Sequence, residues 1–310
     1  MATSKSFFGK RRGSTKNFTF AVFNGKQVTK EKAEQVKNPR TLAQMRNRMV
    51  LTTSSAAYAA MKEIVDHSFQ GYTYGLQNMS RFQSVNNKLL RAAIQAGDTE
   101  HFAYANYGDA RLLPGHYIVS EGSLASLPAG MLVPGATGAG VTTIALPIAL
   151  DAADFTANNV LDKVGISVGG MATVLIVWKN TVTNLWQFGF VRFMSLKAGD
   201  VLLTNDNFLD YFQIEASIPC RVGAFASNLI NIVATTEYSG ADTIPGYAVI
   251  HSELVNGVWQ RSNETLEFFG NVFTPSAADA ILTYPIGGSY VLNGGDVPNG
   301  YDGDMPSPEP

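Results

Sequence analysis

Apolar positions change their period twice along this chain. Leu42, Met45, Met49, Ala56, Ala60 and Ile64 recur at steps of three and four, with Thr52 or Thr53 filling the gap. That is one stripe of an α-helix running to Val65. Asn38-Pro39 supplies its start, because an Asn side chain accepts early backbone N–H groups and Pro is preset for the first helical position. Arg40, Arg46 and Arg48 lie off the stripe, and Asp66-His67-Ser68 closes the segment. A second helix is expected from about Leu76 to Ala96, with Met79, Phe82, Val85 or Asn86, Leu89 and Ala93 on one side and Gly97 as the C-terminal stop. The stripes are rich in Ala and Met, so a hairpin of these two helices needs further burial against the β-region or another subunit.

From Ala110 the pattern becomes short apolar runs separated by turn residues. Strands are expected at Tyr117–Val119, Val141–Leu146, Val174–Trp178, Trp186–Phe193, Val201–Leu203, Tyr211–Ile214 and Leu229–Val233. The clearest unit is Tyr247 to His251 followed by Val255-Asn256-Gly257-Val258 and Trp259 to Ser262, since Asn-Gly supplies the positive φ values of a tight hairpin. Together these features predict an α+β, mainly β chain. Its parts are a basic flexible arm over 1–37, an α-helical hairpin over 38–98, an antiparallel β-sandwich over 99–290, and an acidic disordered tail over 291–310. The sandwich is jelly-roll-like or Ig-like, as one domain or as two sub-domains divided near 200.

Charge sharpens this division. Residues 1–50 hold 12 Lys and Arg against 2 Asp and Glu, and residues 1–98 hold 16 against 5. Residues 99–310 reverse the balance, with 7 against 20, so a net charge of −2 hides two oppositely charged halves. A polyanionic partner is therefore expected for the N-terminal region. Lys5, Lys10, Arg11, Arg12, Lys16, Lys26 and Lys30 are interleaved with Phe7, Phe8, Phe18, Phe20 and Phe23. Cations on phosphates release counterions and Phe rings stack on unpaired bases, which suits sequence-independent nucleic-acid binding, with Arg40, Arg46 and Arg48 as further contacts. Other readings stay open: docking to a partner protein, a plainly solvated charge run, and a strand, since Phe18, Phe20 and Val22 alternate ahead of Asn24-Gly25.

No catalytic, metal or cofactor site is expected. Consecutive side chains in Asp66-His67-Ser68 diverge and cannot form a proton relay; Asp66 and His67 fit better at a helix C-terminus. His67, His101, His116 and His251 fall at no metal-ligand spacing, and Cys220 is the only cysteine. Gly9 to Lys16 lacks the lysine position of a phosphate-binding loop, and Gly135 to Gly140 lacks the strand–helix context of a dinucleotide site. The longest apolar run, Val164 to Trp178, falls short of the roughly 20 residues of a membrane span, and no export signal is expected. Trp259 and Arg261, two apart on a strand, share a face as a candidate recognition patch.

The run Asn24-Gly25-Lys26-Gln27, the run Asn38 to Arg48 and Asp66-His67-Ser68-Phe69 together resemble the N-terminal region of uncharacterised virion-associated proteins of gut Bacteroidetes phages. Val249 to Ser252 and Gly257 to Ser262 are similar to the β-rich C-terminal part of that group. The resemblance implies a virion setting, with synthesis in the host cytoplasm. A basic arm ahead of a β-domain resembles the plan of small-virus coat proteins, in which the arm faces the packaged genome. The helical hairpin is an addition to that plan. The expected function is a non-enzymatic capsid or capsid-associated protein that assembles as a homo-oligomer with other virion proteins. The alternative is a surface recognition module, an adhesin or receptor-binding β-domain, anchored to a larger particle by its N-terminal helices.

Overall fold

The computed structural model describes residues 2–4, 13–15, 18–23, 26–31, 42–73, 75–96, 101–102, 112–127, 133–136, 140–150, 152–180, 183, 185–204, 206–218, 220–222, 229–238 and 246–268. The chain divides into two compact units. One comprises Met1–Thr41 with Asp304–Pro310, the other Leu42–Gly303.

The described residues of the N-terminal unit follow the strand reading of the basic segment. Strands β1 (Ala2–Ser4), β2 (Gly13–Ser14), β3 (Phe18–Phe23) and β4 (Lys26–Glu31) form an antiparallel sheet in the order β1-β4-β3-β2. Alternation in FTFAVF and KQVTKE, rich in aromatic and β-branched residues, favours paired strands over a solvated coil. The turn at Asn24-Gly25 lies outside the described residues. Phe18 pairs with Glu31, Phe20 with Thr29 and Val22 with Gln27, so these six share one face, while Thr19 with Lys30 and Ala21 with Val28 occupy the other. Burial is thin: Phe18 is 46% exposed, and Gln27 is the one buried side chain among those described in this sheet.

The larger unit opens with α1 (Leu42–Val65) and α2 (Gly75–Ala96), the expected hairpin of two packed helices. Residues 38–41 and 97–98 lie outside the description. Met49, Val50, Ala57, Met61, Ile64 and Val65 are buried, but Ala60 is exposed. Met61, the next residue, is fully buried in its place. On α2 the buried row is Asn78, Phe82, Val85, Asn86, Leu90, Ala93 and Ile94. Phe82 is fully buried among the rings of Tyr58, Phe69 and Tyr117.

The β-region contains β5 (Ile118–Ser120), β6 (Val133–Ala136), β7 (Gly140–Ala149), β8 (Met171–Asn180), β9 (Leu185–Ser195), β10 (Phe212–Ala216), β11 (Cys220–Val222), β12 (Leu229–Tyr238), β13 (Gly246–Val255), β14 (Val258–Arg261), β15 (Glu264–Thr265) and β16 (Glu267–Phe268). Helix α3 (Ala157–Val164) precedes β8, and the single turn α4 (Phe208–Tyr211) precedes β10. One sheet runs β10-β9-β8-β13-β14 with β16 on β13, a second runs β11-β12-β7-β6, and β15 pairs with β5. Every strand pair described is antiparallel. The chain is therefore α+β with antiparallel sheets. Neighbours β7 and β12 of one sheet lead along the chain to neighbours β8 and β13 of the other.

Strand β8 is buried from Ala172 to Trp178, on both faces. Val174, Ile176 and Trp178 join Val191, Phe193 and Phe212 beneath Val160, Leu161 and Val164 of α3. The expected strand Val201–Leu203 is instead a bend, held by a single bridge from Leu202 to Thr156. The expected hairpin is present: Asn256 (φ 53°) and Gly257 (φ 76°) join β13 to β14 as a two-residue turn. The tail over 291–310 lies outside the described residues.

Candidate interaction surfaces

The cationic residues singled out in the sequence fall into three groups. Lys5, Lys10, Arg11, Arg12, Lys16 and Arg40 lie outside the described residues, and Arg46 is described only as part of α1. Lys26 and Lys30 are exposed at the two ends of β4, and Arg48 is half-buried on α1. Register places Lys26 and Lys30 on the face with Thr19 and Ala21, opposite the face that carries Phe18 and Phe20. A single strand of nucleic acid cannot lie on both faces at once. Register also pairs Phe23 with Lys26, so the lysine face keeps one aromatic position of its own while Phe18 and Phe20 fall on the other.

The pair on β14 is brought together as the alternation predicted. The Arg261 guanidinium lies 5.0 Å from the centre of the Trp259 ring. Trp259 is the outer member, 38% exposed, and Arg261 the inner one. Trp259 sits beside the hairpin tip opposite exposed Leu254. Arg261 Nε donates to the His67 carbonyl (3.0 Å) and its NH1 to the Gln260 carbonyl (3.0 Å). Burial, with Arg192 a further repulsive charge, pushes the Arg261 pKa down to about 10, which leaves it a cation at neutral pH.

Asp66-His67-Ser68 proves to be a joint. Asp66 accepts hydrogen bonds from Tyr58 Oη and Lys62 Nζ. Burial works against its charge, but these two donors and nearby His67 outweigh it and hold the carboxyl below the usual range. Ser68 Oγ donates to the Val119 carbonyl, and Ser120 Oγ lies within reach of the Ser68 (2.9 Å) and Ser262 (2.7 Å) carbonyls. Gln70 Oε1 accepts from Ser123 N (3.0 Å) and Arg261 N (3.3 Å). Arg81 holds Glu121 through two bonds. The helical connection, β5 and β14 are thereby stitched together, with the side chains of Asp66 and Ser68 and the His67 carbonyl engaged in structural bonds.

One end of the larger sheet collects a different surface. The connection before β8 meets the one after β9 through Gly169 N to Ser195 O (3.0 Å), Asn158 N to Gly199 O (3.2 Å) and Leu203 N to Phe155 O (2.8 Å). It meets β13 through Ser167 N to Glu253 Oε1 (2.7 Å). His251 Nδ1 faces the Ala125 carbonyl at 2.9 Å, a contact only a protonated nitrogen satisfies, while Nε2 lies 3.2 Å from Glu253 Oε1. Burial raises the Glu253 pKa, but the Ser167 backbone N–H and His251 outweigh it and hold the carboxyl below its ordinary value. Exposed on this end are Val168 before β8, then Leu196, Val201, Leu202 and Leu209 between β9 and β10, then Leu254, Val258 and Trp259 at the hairpin.

Sequence reasoning missed α3 and with it this end. Its signals were present: Thr156 Oγ1 caps the helix by accepting from Asn159 N (3.3 Å), and Gly165 (φ 82°) ends it with its N–H on the Leu161 carbonyl. His101 and His116, read separately in the sequence, have ring centres 5.0 Å apart. No group of three His, Cys, Asp or Glu poised for a metal occurs among the described residues, and none of their helices is long and apolar enough to cross a membrane. Comparison with protein-family models, with curated proteins and with solved structures finds no match for this chain.

Proposed function

We propose that this chain is a non-enzymatic structural protein of a phage virion, made in the host cytoplasm and assembled in many copies. Its basic N-terminal region contacts nucleic acid without sequence preference, and its larger unit is an immunoglobulin-like β-sandwich. The observation that carries the proposal is the coincidence of charge with structural unit. The unit of residues 1–41 and 304–310 holds 10 Lys and Arg against 4 Asp and Glu, whereas the larger unit, residues 42–303, holds 13 against 21. Lys26 and Lys30 stand exposed on one face of the N-terminal sheet, as a phosphate-contacting surface requires. The virion setting rests on the resemblance carried by Asn38 to Arg48 and Gly257 to Ser262.

Strand order supports the sandwich. A variable-type immunoglobulin domain pairs a sheet in the order A-B-E-D with one in the order G-F-C-C′-C″. Assigning β6 through β14 to A, B, C, C′, C″, D, E, F and G in chain order reproduces both neighbour orders. Strand β12 also approaches β8 of the other sheet. The disulfide of antibody domains has no counterpart, since Cys220 on β11 is the only cysteine.

The test is fluorescence anisotropy with labelled single-stranded DNA or RNA at rising salt. If about six cations engage phosphates of a single strand, affinity falls roughly 300-fold between about 50 and 200 mM salt. Lys26→Glu with Lys30→Glu weakens binding on every sequence, and deletion of residues 1–37 removes it. Salt-insensitive binding, or none, refutes the nucleic-acid role. A second reading, a surface recognition module anchored by its N-terminal helices, is favoured by exposed Trp259 over Arg261 at a hairpin tip. Sedimentation as a monomer under all conditions, with a glycan or protein ligand lost on Trp259→Ala, supports that reading instead.

A further inference from the structure

Twelve large hydrophobic side chains stand exposed among the described residues, and eight of them lie on the one end of the larger sheet formed by residues 150–170, 196–211 and 253–261. A lone exposed leucine needs no explanation, but such a concentration marks a contact surface. Leu202 and Leu209 are 50% and 62% exposed although Phe208, between them in sequence, is fully inside the core. The same end is acidic. Among its described side chains six are Asp or Glu and three are Lys or Arg, with Asp200, Asp206 and Asp210 exposed beside the leucines. An acidic end repels nucleic acid and attracts a basic partner.

The N-terminal sheet has the complementary character. Its Phe18, Phe20 and Val22 face lacks a buried core, with all three exposed or half-buried, in a region of net positive charge. Because Lys26 and Lys30 lie on the other face, Glu31, across from Phe18 at the end of the sheet, is the one charged residue on this face among those described, and its Phe20–Val22 part can be desolvated without burying a charge.

We propose that the acidic, leucine-bearing end of the larger unit receives the Phe18–Phe20 face of the N-terminal sheet of a second copy of this chain. The contact joins two different surfaces, so each copy offers one of each and copies add head to tail into a ring or an open array. Charge steers the encounter and the apolar faces hold it, while the Lys26–Lys30 face remains turned outward for a polyanion. This inference rests on the reading of the chain as a self-assembling protein.

Sedimentation velocity of the full-length chain over a range of concentrations tests it. Leu202→Arg with Leu209→Arg, and separately Phe18→Asp, change side chains already about half exposed and are expected to leave the circular dichroism unchanged. Each lowers self-association at least about tenfold. Asp206→Lys with Asp210→Lys, a second pair of exposed positions, lowers it to a similar extent and flattens its salt dependence. Mixed in equal amounts, the Leu202→Arg/Leu209→Arg and Phe18→Asp proteins retain one intact interface between them, so they form a dimer and nothing larger. A parent that assembles while all three variants assemble equally well overturns this docking and leaves the structural role standing. A mixture that stays monomeric overturns the head-to-tail geometry. A parent that is monomeric at every concentration overturns both the docking and the role.

Discussion

Asn86 offers the sharpest test of how the helical hairpin is joined to the β-region. Its side chain is completely buried. Nδ2 donates to the Phe82 carbonyl (3.0 Å) and the Ile118 carbonyl (3.0 Å), while Oδ1 accepts from Ile118 N (2.8 Å). One amide thus serves both backbone groups of a β5 residue, much as a neighbouring strand would. Asn86→Ala removes three bonds, each contributing about 1 kcal/mol net, and leaves the Ile118 N–H and carbonyl without these partners; a loss of about 3 kcal/mol is expected. For a unit of this size that lowers Tm by about 10 °C. Urea unfolding followed by circular dichroism measures it, with exposed Lys88→Ala as the control, expected within about 0.5 kcal/mol of the parent. Hydrogen exchange gives the local readout, since the Ile118 amide loses protection in the variant ahead of amides in β8. A change below about 0.5 kcal/mol, with Ile118 still protected, refutes the assignment of Asn86 as the joint.

Acid stability follows from Glu253 and Asp66. Both carboxyls are held below their ordinary values in the folded state, so their contribution is complete above the unfolded-state range near 4 and disappears as pH falls through the lower folded values. Glu253→Gln therefore loses less stability than the parent on acidification from about pH 5, and parallel urea midpoints across that range refute the linkage. Gly122→Ala destabilises by about 2 kcal/mol or more, because the new Cβ would run into the backbone carbonyl of Arg261, with the Gln70 side-chain oxygen also too close. Gly169→Ala, in open space but at φ +83°, is strained by its backbone alone and costs only about 1 kcal/mol; equal thermal shifts for the two variants refute the close approach.

Much of the local architecture was legible because it depends on neighbours in sequence. The α1–α2 pair follows from apolar recurrence at three and four, and the β13–β14 hairpin from Asn256-Gly257, where both residues take positive φ. Harder to read were elements whose signal is short. Eight-residue α3 carries a cap at Thr156 and a stop at Gly165, yet it lies in a Gly-rich stretch where these compete with loop chemistry. The ambiguity between Val85 and Asn86 on α2 was settled by both being buried, which only a waiting backbone partner at Ile118 makes tolerable for an amide. Trp259 and Arg261 were correctly placed on one face, but which of them faces water depended on the His67 carbonyl, nearly two hundred residues away.

The sequence by itself determined the charge division between the N-terminal region and the rest, the two amphipathic helices and the two-residue hairpin, since each is set by composition or by a period spanning a few residues. Tertiary structure decided the rest. It set β8 beside β13 and β7 beside β12, brought three separate connections to one end to gather Leu202, Leu209, Val258 and Trp259, and placed Lys26 and Lys30 on the face opposite Phe18 and Phe20. Strand pairing and register are contacts between residues far apart along the chain, and no local period encodes which distant strand a given strand will meet.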